Sequence, residues 1–161
     1  MRILGIDPGL NTTGYGIIEG LGLKVRLVEA GFIRTNSKQE LNSRLEHIHR
    51  GIVKIIAKHK PAVVVLEKLY AHWKHPATAY LLGHARGVIC LAAQENNLAV
   101  VEYAATRVKK AITGAGHASK SQMQRMIQQT FSLNAIPEPP DIADALALAV
   151  GHAYMMVKKI R

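Results

Sequence analysis

The chain has 161 residues, 48% of them hydrophobic and 20% charged, which excludes an intrinsically disordered protein and predicts one ordered domain over residues 1–161. No apolar run approaches the roughly 20 residues of a membrane span, and Cys90 is the single cysteine, which excludes an internal disulfide and favours a cytoplasmic protein. A formal charge of +10 favours a polyanionic partner, nucleic acid first, although a merely basic soluble protein carries the same charge.

The first third of the chain predicts three antiparallel strands. Residues 2–6, 13–19 and 24–34 read as strands, and short connections that contain glycine join them. Connections of this length bring neighbouring strands together as an antiparallel meander.

An amphipathic helix is predicted over residues 41–58, because apolar residues recur there every three or four positions. The apolar positions are Leu41, Leu45, Ile48, Ile52, Ile55 and Ile56, and the basic residues between them are Arg44, Arg50, Lys54 and Lys58. Pro61 follows the helix, and the continuous apolar run 62–66 predicts a strand that is covered on both faces. A polar loop over residues 68–76 comes next.

The rest of the chain predicts four helices and one more strand. The helices cover residues 78–94, about 107–112, 119–130 and 141–157, and the strand covers residues 98–103. Three strands followed by alternating helices and strands predict an α/β fold with a mixed sheet and helices on both faces.

Small residues line one face of the helix over residues 78–94, because Ala79, Gly83 and Gly87 are four residues apart. Such a face allows another segment to approach closely. Two alternatives remain open: the face packs against the sheet of its own chain, or it packs against its symmetry mate in a homodimer.

Two of the predicted strands end in a carboxylate. Asp7 follows the first strand directly before the turn at Pro8 and Gly9, and Glu67 follows the strand over residues 62–66. Ligands of α/β sheets bind beyond the carboxyl ends of the strands. Both acids are therefore candidate ligands of a cation.

Two further acids belong to the first turn of the last helix. Prolines precede Asp141, which places it at the helix start, and Asp144 follows three residues later on the same face. An acid is favoured at a helix N-terminus even without a ligand, so Asp141 alone carries little weight. Alanines at positions 143, 145, 147 and 149 would let this helix press against the sheet near Asp7.

Four converging carboxylates repel one another unless cations neutralise them, and hard divalent ions prefer oxygen ligands. Two Mg²⁺ ions about 4 Å apart can stabilise both the attacking and the leaving oxygen of a phosphodiester displacement. The four acids therefore suggest metal-dependent phosphodiester hydrolysis. No Ser-His-Asp order, Cys-His nucleophile or glycine-rich phosphate loop suggests another chemistry.

Motifs spread from residue 3 to about residue 152 also resemble those of a known family. They are Gly5-Ile6-Asp7-Pro8-Gly9, Thr13-Gly14-Tyr15-Gly16, Leu66-Glu67, Leu82-Gly83-His84-Ala85-Arg86-Gly87, Glu102-Tyr103-Ala104, Val108-Lys109, Lys120-Ser121-Gln122 and Asp141-Ile142-Ala143-Asp144-Ala145-Leu146-Ala147. In this collinear set the chain resembles the RuvC family of bacterial Holliday-junction resolvases.

The resemblance implies an RNase H-like fold with a mixed five-stranded sheet, and a homodimer. It also implies Mg²⁺-dependent nicking of two opposed strands of a four-way DNA junction during recombination and repair, in concert with the RuvA and RuvB branch-migration proteins. By position, Asp7 would be the central metal ligand, and Glu67, Asp141 and Asp144 would complete the catalytic set. Two ions per site, with Mn²⁺ as a substitute for Mg²⁺, belong to the same expectation.

The resemblance further implies DNA-binding roles for Tyr70, Lys109 and Lys120. Tyr70 matches an aromatic residue that stacks on bases near the junction centre, whereas its alternative is a loop residue packed on the sheet edge. Lys109 and Lys120 match basic residues at the rim of the family's active site. Solvated helix faces are the alternative for both lysines.

Other polar residues keep open roles. His72 and His75 have a metal-like spacing, but no cysteine or third histidine is near them, so they are expected to add to a basic loop and not to bind zinc. His117 either approaches DNA or belongs to the start of a helix. Arg86 contacts either the partner subunit or a carboxylate of the core.

Three rival classes can be compared with the junction resolvase. An RNase H-like nuclease that acts on RNA would share the acid of the first strand, but it would not share the collinear stretches around Tyr70 and Lys120. An actin-like ATPase needs two such domains, for which the chain is too short. A DNA-binding module without activity would leave Asp7 and Glu67 unexplained, because burying unpaired acids costs free energy.

Overall fold

A computed structural model of the protein describes residues 1–69 and 76–158. The strands are β1 (Arg2–Asp7), β2 (Thr12–Leu21), β3 (Lys24–Arg34), β4 (Val63–Glu67) and β5 (Ala99–Tyr103). The helices are α1 (Leu41–His59), α2 (Pro76–Glu95), α3 (Ala105–Thr113), α4 (Lys120–Thr130) and α5 (Pro140–Lys158). Each predicted strand and helix is present, with its ends only slightly displaced. No helix in these ranges is long and apolar enough to cross a membrane.

The five strands form one mixed sheet in the order β3-β2-β1-β4-β5. Strand β1 pairs antiparallel with β2 and parallel with β4, and β4 pairs parallel with β5. The parallel pairs require crossover connections, which α1 and α2 supply. The antiparallel meander at one edge and the parallel half at the other confirm the predicted mixed sheet.

Apolar side chains of the central strands alternate between two cores, one on each face of the sheet. Ile3 and Val65 belong to the core that α3, α4 and α5 cover. Leu4 and Val64 belong to the core that α1 and α2 cover. Strand β4 is buried on both faces, as the continuous apolar run 62–66 predicts, and the helices on both faces are confirmed.

Helix α5 lies in direct contact with the backbone of β1 and β2, because glycines face it. A Cβ atom on Gly5 would be 2.1 Å from the carbonyl oxygen of Ala145, and one on Gly14 would be 2.1 Å from that of Asp141. Ala149 lies against Gly5 as well. The prediction that small residues let α5 press against the sheet is therefore confirmed.

The small-residue face of α2 does not pack against the sheet. A Cβ atom on Gly83 or Gly87 would meet no atom within 4 Å in the part of the chain that the structure describes. The residues that α2 buries lie on another face and include Ala85 and Ile89. For Gly83 and Gly87 the helix-against-sheet alternative is therefore wrong.

One position of α1 also differs from its prediction. The periodicity places Arg44 among the polar residues, yet Arg44 is only 9% exposed. It lies four residues before Ile48, in the same buried stripe as Ile52 and Ile56. The guanidinium of Arg44 can be buried there because oxygen atoms of neighbouring loops accept its hydrogen bonds.

Candidate active site

Two neighbouring strands bring Asp7 and Glu67 to the same edge of the sheet. Strands β1 and β4 run parallel, with Gly5 opposite Val65, so their carboxyl ends lie side by side. Asp7 and Glu67 are the last residues of these strands. Both acids therefore lie where ligands of α/β sheets bind.

The start of α5 brings the other two acids to this edge. Helix α5 begins at Pro140, so Asp141 lies in its first turn and Asp144 follows three residues later on the same face. The backbone of Asp141 contacts Gly14, and Gly14 pairs with Asp7 across the antiparallel ladder. The absence of a side chain at Gly14 thus allows the helix start to lie directly over Asp7.

The four carboxylates influence one another strongly. Burial and, after it, the charges of Asp144, Asp141 and Glu67, in this order of effect, together raise the pKa of Asp7 to about 7. Burial and the charge of Asp144 also raise the pKa of Glu67. Free energy is therefore stored in the ionised cluster, and binding of a cation would release it.

Two lysines lie beside the cluster. Lys120 Nζ lies 2.9 Å from Asp144 Oδ2, and this hydrogen bond is the main cause that raises the pKa of Lys120. The charge of Lys109, on α3, opposes part of the rise in the pKa of Glu67. Each lysine thus offsets negative charge at a different acid.

A capping box fixes the start of the helix that carries Lys120. The Ser119 side chain accepts a hydrogen bond from the Gln122 N–H, and the Gln122 side chain accepts one from the Ser119 N–H at 2.8 Å. Lys120 is the first residue of α4, so this cap defines where its side chain begins. His117, which precedes the cap, is exposed.

Arg86 is a residue of the site for which the sequence left two roles open. Its Nη1 donates a hydrogen bond of 2.8 Å to the backbone carbonyl of Glu67, and its Nη2 donates one to the carboxylate of Glu102. The Arg86 side chain is only 12% exposed. Within the chain it therefore contacts a carboxylate and holds the end of β4, from which Glu67 projects.

Three of the residues considered in the sequence lie outside the described residues. They are Tyr70, His72 and His75, which belong to the segment between β4 and α2.

The donor set suits a hard divalent cation, because four carboxylates supply only oxygen ligands. In the described ranges no three acids or histidines are placed so that they could hold one ion together. The ion pair with Lys120 already engages one of the four acids, Asp144.

Comparisons with known proteins agree on one family. The sequence profile described as "Crossover junction endodeoxyribonuclease RuvC" matches residues 3–152. A RuvC from Rhodopirellula baltica is 48% identical over 95% of this chain and 86% of its own length. A RuvC from Halothermothrix orenii is 45% identical over 99% of this chain and 97% of its own length.

Solved structures give the same result for the fold. Thermus thermophilus RuvC in complex with a Holliday junction substrate superposes with a TM-score of 0.92, at 31% sequence identity, over 99% of this chain and 96% of that chain. The Fowlpox virus resolvase in complex with Holliday junction DNA, at 17% identity and a TM-score of 0.59, is similar in fold alone. The predicted RNase H-like fold is confirmed.

Proposed function

Because the chain belongs to the RuvC family of crossover junction endodeoxyribonucleases, we propose that it resolves four-way DNA junctions by metal-dependent phosphodiester hydrolysis. The observation that carries this proposal is the acid cluster around Asp7, whose pKa is raised by burial and by the charges of three other carboxylates. The +10 charge supports a nucleic acid substrate. Roles in recombination and DNA repair, the cytoplasmic location and the partners RuvA and RuvB are part of the proposal through the family.

The catalytic set is Asp7, Glu67, Asp141 and Asp144, which would hold Mg²⁺, two ions per site, or Mn²⁺ in its place. When bound, these ions supply a water of lowered pKa and neutralise charge on the phosphate. The pKa of Asp7, raised to about 7, would fall beside a bound cation, because a positive charge favours the ionised carboxylate.

Lys109 and Lys120 would hold the DNA strand at the catalytic acids. Lys120 contacts Asp144, and the positive charge of Lys109 acts on Glu67, so both cations would attract a phosphate that is bound at the cluster. Tyr70 completes the set as the residue that stacks on bases of the opened junction.

A homodimer is the assembly that we propose, with α2 at its centre. Gly83, Gly87 and Leu91 form a stripe along one face of α2. No atom of the described chain packs against the two glycines, and Leu91 is 52% exposed. A hollow of about 520 Å³ beside the stripe, lined in part by Tyr80 and Val88, would receive side chains of the second copy. Two-fold symmetry would present identical sites to two equivalent strands.

A matched pair of variants tests the assembly. Gly87→Leu places a large side chain in the stripe and is expected to convert dimers to monomers in sedimentation experiments. Ala57→Leu makes the comparable change at an exposed site of α1 and should leave the dimer intact. A dimer that survives Gly87→Leu at unchanged affinity would place the interface elsewhere.

We also propose that residues 1–161 form one domain. Helix α5, the last element, packs against β1 and β2, the first two, so that both ends of the described chain share one core.

The experiment that tests the activity compares three substrates: a synthetic four-way junction, a plain DNA duplex and an RNA hairpin, each with Mg²⁺ or with a chelator. We expect symmetric nicks in two opposed strands of the junction alone, only with Mg²⁺, and we expect ligase to seal them. Asp7→Asn should abolish nicking while junction binding survives. Glu46→Gln removes a carboxylate of a surface ion pair and should change nothing. Equal cleavage of the RNA hairpin, or full activity of Asp7→Asn, would refute the proposal.

A further inference from the structure

Arg44 is a buried cation without a carboxylate partner in the described parts of the chain. Its Nε donates to Thr35 Oγ1 at 3.0 Å, and its Nη2 donates to the carbonyl oxygen of Leu10 at 3.2 Å and to Asn11 Oδ1 at 2.5 Å. All three acceptors are neutral. In contrast, the half-buried Arg86 is paired with the carboxylate of Glu102.

A buried guanidinium with only neutral acceptors is unusual, because its desolvation is normally offset by an anion. Within residues 1–69 and 76–158, Nη1 of Arg44 donates no hydrogen bond, so this nitrogen is available to a ligand. Arginine is well suited to phosphate, since its planar fork can donate two parallel bonds.

Arg44 lines a cleft that adjoins the acid cluster. The cleft has a volume of about 430 Å³ and is also lined by the loop Gly9–Thr12, Thr78 and Asp141. Two threonines hold the loop in place: the Thr13 hydroxyl donates to the carbonyl of Gly9 at 2.7 Å and that of Thr35 to the carbonyl of Leu10 at 2.5 Å. Arg44 attracts an anion in this cleft and Asp141 repels it, which favours a position on the Arg44 side.

We propose that this cleft binds a phosphate of the DNA strand, adjacent to the phosphate that is cleaved, with Arg44 as its cationic ligand. The inference rests on the proposed function, because it takes the neighbouring acids as the site of cleavage. Arg44 would then fix the register of the strand over Asp7, and the loop 9–12 would form the wall against which the backbone lies.

Substitution of Arg44 itself would also release the loop, so the sharper test changes its partner. In Asn11→Asp the new carboxylate still accepts the hydrogen bond from Arg44. It also forms an ion pair with the guanidinium, which then has an anion of its own chain in place of a phosphate. Because Asn11 is exposed, the fold should be retained, and the ion pair with a buried cation should keep the melting temperature at or above that of the parent. Asn36→Asp is the matched control, since it makes the same change of charge and keeps its own bond from the Lys38 N–H.

Binding to an uncleaved four-way junction, without divalent metal, is measured over a range of salt concentrations. For Asn11→Asp we expect affinity to fall several-fold and the slope of log K against log salt to become shallower by about 0.9, the loss of one phosphate contact. Asn36→Asp should keep the parental slope. If Asn11→Asp has the parental affinity and slope, Arg44 is structural only and the proposal is overturned.

A second arm is independent of junction binding. Inorganic phosphate and a 5′-phosphorylated dinucleotide are titrated separately into ¹⁵N-labelled protein, and the Asn11 amide and Arg44 Nε signals are followed. Shifts with the dinucleotide at lower concentration than with phosphate indicate a strand site, and equal shifts with both indicate a site for free phosphate, which would overturn the strand assignment. No shift with either overturns the whole inference. Failure of the proposed function appears differently, as a parent protein that does not nick the junction.

Discussion

Lys120 Nζ lies 2.9 Å from Oδ2 of Asp144, so the acid cluster already contains one cation of its own chain. Asp144 is also the acid whose charge contributes most to the raised pKa of Asp7. The lysine therefore shields the most influential repulsion of the cluster. A metal ion held by Asp144, as proposed above, would compete with Lys120 for the same carboxylate and would leave Lys120 free to contact a phosphate.

Lys120→Gln is expected to have opposite effects on metal binding and on cleavage. Mg²⁺ affinity measured by calorimetry without DNA should rise several-fold, because a competing cation is removed. Junction cleavage at saturating Mg²⁺ should fall by about tenfold or more, because a donor to the phosphate is lost. Lys54→Gln, an exposed site on α1, serves as the control. Weaker Mg²⁺ binding in Lys120→Gln would contradict the competition.

Asp7→Asn is expected to raise stability in metal-free buffer. The pKa of Asp7 rises from 3.8 to about 7 on folding, so its favourable contribution is complete below about pH 4 and is lost as the pH rises through 7. This rise corresponds to no more than about 4 kcal/mol. At pH 8 the melting temperature of Asp7→Asn should exceed that of the parent by several degrees, and the difference should shrink toward pH 4. An equal or lower melting temperature at pH 8 would show that the cluster is not repulsive.

Metal binding should reduce the difference in melting temperature between Asp7→Asn and the parent. Mg²⁺ at about 100 times its dissociation constant stabilises the parent by about 2.7 kcal/mol. Asp7→Asn lacks the proposed central ligand and should gain much less. The measurement is the melting temperature with and without Mg²⁺, and an equal gain in both proteins would remove Asp7 from the ligand set.

Arg86→Gln is expected to slow cleavage without weakening junction binding, because Arg86 holds the backbone of Glu67 and does not itself reach the acids. The Mg²⁺ concentration for half-maximal cleavage should rise, since a less fixed Glu67 is a poorer ligand. Arg86→Lys keeps a hydrogen-bond donor, so its Mg²⁺ concentration for half-maximal cleavage should lie between those of the parent and Arg86→Gln. Arg50→Gln breaks only a surface ion pair and provides the baseline. An unchanged Mg²⁺ dependence would reduce Arg86 to a structural role.

Gly14→Ala should destabilise the protein and abolish cleavage together. The new methyl group would lie 2.1 Å from the backbone oxygen of Asp141, so α5 must move away from β2. Overpacking of this kind costs about 1–3 kcal/mol. Gly83→Ala is the contrast, because its methyl group meets nothing within 4 Å in the described chain and alanine favours the helix by about 0.5–1 kcal/mol. Chemical unfolding of both variants, in the monomeric background of Gly87→Leu, provides the comparison.

Much of the fold and the acid cluster could be predicted because both depend on local patterns. Strand ends at Asp7 and Glu67 and the proline-marked start of α5 are visible as short runs of residue types. The burial of Arg44 is not predicted, because a charged residue is expected on the polar face of an amphipathic helix. Its position four residues before Ile48 does indicate the buried face. The contact of Arg86 with Glu67 joins residues 19 positions apart on different elements, and no local pattern predicts such a pair.

The acids of the site come from the two ends of the fold, with Asp7 in the first strand and Asp144 in the last helix. A ribosome adds these residues in that order, so a growing chain exposes Asp7 and Glu67 long before their partners exist. The cluster is complete only when α5 has emerged and packed over Gly14. A nascent chain without α5 therefore lacks two of the four acids, and the proposed cleavage site would be incomplete until synthesis has passed residue 144.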